Sequence, residues 1–173
     1  MTGFPAPRRR SLTTPRAAAV AGILFAVLYG TSLVLVRLAI PRGPVTGNVP
    51  WVAANARVID VALNLVPYAG IAFLWFIGVI RDRLGDVEDR FFATVFLGSG
   101  LLFLALTFTG AALAGGLLSS YASQPRTIVE SGVFTYGREV MFQLINVYAI
   151  SMAGVFMLSL GTIWIRTGLM HRG

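Results

Sequence analysis

Four long apolar runs dominate the chain: Ala17 to Ile40, Val58 to Ile80, Phe91 to Leu118 and Val140 to Ile165. At 1.5 Å rise per residue each would be about 35 to 42 Å long as a helix, against a hydrocarbon core of roughly 30 Å. Backbone groups in lipid must bond within their own segment, so these runs are predicted to be helices. Apolar residues make up 56% of the chain and charged residues 12%, too little polar surface to cover a soluble core of this size. The predicted fold is therefore all-α, a four-transmembrane-helix bundle. Residues 17–173 form its one domain, behind a disordered cytoplasmic tail over residues 1–16.

The arginines set the expected orientation. All fourteen basic residues are arginine, and they sit at the ends of the runs. Arg8, Arg9, Arg10 and Arg16 precede the first run, Arg81, Arg83 and Arg90 lie between the second and third, and Arg166 and Arg172 follow the fourth. Against these nine, Arg42, Arg57, Arg126 and Arg138 fall on or near the opposite side. The positive-inside rule then predicts cytoplasmic N- and C-termini. The loops near 41–57 and 119–139 would face out, with Trp51, Tyr121, Phe134 and Tyr136 as interfacial aromatics. The first run is about 24 residues, too long for a signal-peptide core, so it is expected to remain as a helix. The net charge of +7 is a membrane-flank pattern, and no nucleic-acid partner is expected.

The second loop, RDRLGDVEDR (81–90), is short, which predicts a tight antiparallel hairpin. Gly85 would end the second helix, Asp86 would cap the third, and Asp86 would pair with Arg90 four residues on. The longer string LWFIGVIRDRLGDVEDRFFATVFLGSGLLF (74–103) resembles a group of short four-span bacterial integral membrane proteins with no assigned function. The resemblance covers about a sixth of the chain. It implies the four-span fold and a bacterial plasma membrane, and it imports no activity.

Small residues allow helices to approach in lipid, where hydrophobic drive between helices is weak. Ala18, Gly22, Ala26 and Gly30 recur every four residues on the first helix. On the third, GAALAGG (110–116) sets the pairs Gly110/Ala114, Ala111/Gly115 and Ala112/Gly116 one turn apart on shared faces. These faces would serve packing inside the bundle or, alternatively, a homodimer or another protein partner.

Polar residues interrupt the outer ends of the runs. Arg57, Asp60 and Asn64 share one side of the second helix, and Glu139, Gln143 and Asn146 share one side of the fourth, beside Arg138. Arg37 projects from the small-residue face of the first helix. All eight would lie in the outer third of the bundle, with Asn64 and Asn146 on the order of 10 Å deep. Asp60 is expected to face inward, within reach of an arginine and amides. The cluster would then be a structural lock joining three helices. Alternatively it would line a polar cavity for an anionic solute or lipid headgroup, since three arginines face two carboxylates.

Several chemistries are argued against. The chain has no cysteine, and its one histidine is His171, near the C-terminus. Haem ligation, thiol chemistry and a histidine-activated Ser99 therefore lack their groups. No metal-binding set and no cofactor is expected. A membrane enzyme using Asp60 and Glu139 is the remaining catalytic alternative. The expectation is a non-catalytic accessory or scaffold protein; the alternative is a small transporter or binding protein.

Overall fold

The computed structural model describes residues 15–40, 50–84 and 90–167. Helix α1 spans Pro15–Ala39, α2 Pro50–Leu84 and α3 Arg90–Ser123. A short α4, Pro125–Glu130, lies across the end of α3. The fourth rod is built of α5 (Val133–Gln143), a wide π-turn (Leu144–Ala149) and α6 (Ile150–Thr167). Among the described residues there is no strand, and four stretches are long and apolar enough to cross a membrane. They are Arg16–Ala39, Pro50–Asp82, Phe91–Ser123 and Val133–Ile165. The expected tail lies outside the described residues, except that Pro15 and Arg16 already belong to α1. The hairpin expectations at Gly85 and Asp86 also lie outside them.

The helices outrun the apolar stretches that announced them. α2 begins at Pro50 rather than near Val58, and the fourth rod at Val133 rather than near Val140. A helix closes its backbone bonds whatever its side chains, so it continues through Arg57 or Arg138 at the membrane surface. The expected third loop is likewise mostly helical. Pro125 opens α4, where its missing N–H costs nothing. Gly132 closes it in the left-handed region (φ 76°), and its N–H donates to the Val129 carbonyl. That glycine turns the chain straight into α5.

The bundle core has two zones. Near the N-terminal end of α1 an aromatic core joins all the spans: Phe25, Phe73, Phe96, Phe103 and Phe156. Phe156 stacks on Phe96 at 4.7 Å and tilts against Phe73 at 5.1 Å. At the other end Trp51 and Tyr121 both pack against Phe134, with ring centroids at 6.1 and 5.9 Å. Three of the four residues expected at the headgroups thus cover the end of the core; Tyr136 alone is well exposed.

The main neighbouring pairs are α1 with α2, α2 with α3, and α3 with the fourth rod. α1 and the fourth rod are not among them. One buried interhelical bond locks α1 to α2, where the Ser32 hydroxyl donates to the Ala62 carbonyl at 2.7 Å.

Candidate functional site

The gap between α1 and the fourth rod is a half-open cavity of about 410 Å³. Its floor is α3, through Thr107, Gly110, Ala111 and Ala114, with Leu63 and Val66 of α2 beside them. α1 forms one wall from Tyr29 to Ile40, and Met141, Phe142, Ile145 and Asn146 form the other. The π-turn shapes this second wall, as wide turns of this kind often do at functional sites. Ile145 seats against Gly110, where an added Cβ would come within 2.8 Å.

Most polar groups in the cavity are already engaged. Ser32 donates to Ala62, and Thr107 donates to the Phe103 carbonyl at 2.8 Å. The Asn146 amide donates to the Phe142 carbonyl at 2.9 Å, which leaves its oxygen available. Arg37 is exposed at the rim in the last turn of α1. It makes no side-chain hydrogen bond or ion pair among the described residues. From Tyr29 to Arg37 the α1 wall descends roughly 12 Å. Beyond Phe142 and Asn146 the cavity adjoins a shallow groove that Glu139 and Gln143 also line.

The eight expected polar residues do not form one cluster. Arg37 and Asn146 share the cavity, and Asn146, Gln143 and Glu139 share the groove. Arg138 is buried among Ile40, Val52, Ile59, Phe134 and Met141, beside a void of about 20 Å³, the scale of one water. Its guanidinium donates to Glu139 Oε1 at 2.9 Å. Glu139 is its neighbour in sequence and is itself exposed, so this pair cannot clamp two helices.

Arg57, Asp60 and Asn64 stand apart and point outward, all three exposed. The inward face of α2 is Ile59, Ala62, Val66, Ala69 and Phe73. The expected inward Asp60 is therefore corrected. Both faces of α2 carry apolar residues, Ile59 and Val66 inward and Val61 and Ile71 outward, so apolarity did not mark the inner one.

The small residues divide in a similar way. Ala18 and Ala114 are buried; a Cβ added at Gly22 would lie 3.3 Å from Phe76, one at Gly110 would press on Ile145, and one at Gly115 would lie 3.7 Å from Leu63. Ala26 is exposed and Gly30 faces open space. Four residues advance a helix by 400°, so a four-residue repeat drifts about 40° per step and leaves the packing face midway. The tightest contact falls at Gly70, outside the expected set, and two further glycines outside it, Gly100 and Gly137, approach a neighbour as closely as Gly110 does. Gly70 meets Phe108, Gly100 meets Ile77 and Phe156, and Gly137 meets Leu117.

Ser99 donates to the Val95 carbonyl at 2.7 Å and serves the backbone of its own helix. Among the described residues no three His, Cys, Asp or Glu side chains gather as a metal site. No family model matches the chain, and neither the curated proteins nor the solved structures contain a match to it.

Proposed function

We propose that this multi-pass membrane protein is a non-catalytic binding protein for an anionic amphiphile. An apolar chain of the ligand occupies the lateral cavity, and its headgroup meets Arg37 at the rim. The observation that carries the reading is an apolar, laterally open cavity whose rim holds a cation with no ion-pair partner among the described residues. A volume of about 410 Å³ falls within the roughly 300–1,000 Å³ of small-molecule sites. At roughly 30 Å³ per methylene-sized group, the share of one water, it holds about thirteen such groups. Asn146 lies on the opposite wall, and the Gln143 amide lines the adjoining groove. Glu139 does not repel an anion there with full force, because Arg138 neutralises it.

A catalytic role for Asp60 and Glu139 has little support, since both are exposed and their helices are not main neighbours. The accessory or scaffold role is also non-catalytic and would need a seam for a partner. The proposed setting is a bacterial plasma membrane with both termini cytoplasmic, which the distribution of arginines supports.

Native mass spectrometry of the full chain offered phosphatidylglycerol and phosphatidylcholine tests the reading. The wild type is expected to retain phosphatidylglycerol preferentially. Arg37→Gln should lose roughly tenfold of that preference, the worth of one charge-assisted hydrogen bond. Ala111→Phe, which fills the cavity floor, should lose retention of both lipids. Equal retention by the wild type and Ala111→Phe would overturn the assignment.

A further inference from the structure

The outward face of α2 carries a feature that the cavity does not use. Ala53, Arg57, Asp60, Asn64, Ile71 and Leu74, with Pro67 between, follow a strict four-three spacing, and every one is exposed. That is the 3.5-residue period of a seam between two helices wound left-handedly about each other. Lipid needs no such seam and disfavours its upper half, because ionisable side chains at membrane depth ordinarily face protein or water. Arg57 and Asp60 make no ion pair with each other or with any other described residue. Asn64 donates one N–H to the Asp60 carbonyl at 2.9 Å and keeps its oxygen and a second hydrogen.

We propose that two copies of this chain pair side by side along α2. Both copies share one topology, so the two α2 helices run parallel about a two-fold axis along the membrane normal. In such an isologous contact Arg57 of each copy reaches Asp60 of the other, about one turn deeper. Asn64 meets its own symmetry mate, amide to amide, where interhelical amide bonds hold helices together in lipid. The stripe is self-complementary because it carries one positive and one negative residue at this spacing. Ala53 keeps the outer end narrow enough for close approach. The corresponding stripe on the fourth rod is a poorer candidate, since its only charge, Glu139, is already satisfied by Arg138.

The chain contains no cysteine, so single-cysteine variants report proximity without background. The full-length protein is reconstituted in vesicles of phosphatidylcholine and phosphatidylglycerol and oxidised. Ala53→Cys is expected to cross-link at least tenfold faster than Gln143→Cys on the fourth rod. Arg57→Asp should slow the Ala53→Cys cross-link at least tenfold by setting four carboxylates together. The charge exchange Arg57→Asp with Asp60→Arg should restore it. Cross-linking no faster at Ala53→Cys than at Gln143→Cys would overturn the seam. A charge exchange that fails to restore the rate would overturn the Arg57–Asp60 pairing, whatever the folding of the single variant.

Discussion

Gly98 and Gly100 lie two residues apart on α3, both deep in the helix, yet they face different surroundings. An added Cβ at Gly98 would find nothing within 4 Å. At Gly100 it would lie 2.8 Å from Ile77 Cδ1 and 3.1 Å from Phe156 Cδ2 and Cε2. The Ile77 methyl must retreat by about 0.6 Å to reach ordinary contact at 3.4 Å. The Phe156 ring has little room to yield, because Phe96 stacks on it and Phe73 leans against it. Overpacking of this kind costs about 1–3 kcal/mol. Replacing a helical glycine by alanine also gains up to about 1 kcal/mol of helix propensity. That gain is common to both positions and cancels in their difference. Gly98→Ala should therefore be neutral or slightly stabilising. Gly100→Ala should fall below Gly98→Ala by about 1–3 kcal/mol, a factor of roughly 5 to 150 in the unfolding equilibrium. Reversible unfolding of both variants in mixed micelles, followed by helix content, measures the difference directly. Equal stabilities would refute the reasoning, because α3 would then not present Gly100 to α2 and α6 at this distance.

Ser32→Ala removes the buried bond from α1 to the Ala62 carbonyl but leaves that carbonyl its own helical partner. The same unfolding assay should show a loss of about 0.6 kcal/mol, and at most about 1.7, as for other interhelical bonds in lipid. A loss above about 3 kcal/mol, outside that range, would mean that the hydroxyl does more than tie two helices. For the orientation, a reporter fused after Gly173 should be active only in the cytoplasm, and external activity would reverse the arginine argument.

The sequence encodes depth along the membrane normal far more plainly than direction around each helix. Four apolar runs mark four spans because lipid demands about twenty apolar residues in succession. Their ends are blurred because a helix closes its own backbone bonds and so runs on through Arg57, which is exposed, and through Arg138, which is buried. Direction is harder to read, since lipid and protein interior are equally apolar. Ile59 and Val61 are chemically alike, yet Ile59 is buried and Val61 exposed. Arg138 and Glu139 are adjacent, so about 100° of helix separates them and only one could enter the core. Nothing in the local sequence says which. The cavity was still less legible, because it is a gap between two helices that are not main neighbours. The π-turn along its wall, LINVYA, contains neither glycine nor proline to announce it. The one directional cue was the spacing of Arg57, Asp60 and Asn64, which put them on one face. What misled was the premise that a polar face in a membrane helix must turn toward its own bundle. In the proposed dimer the same stripe would satisfy its charges by turning toward a second copy. On that proposal, the faces of α2 are assigned only when the partner as well as the bundle is taken into account.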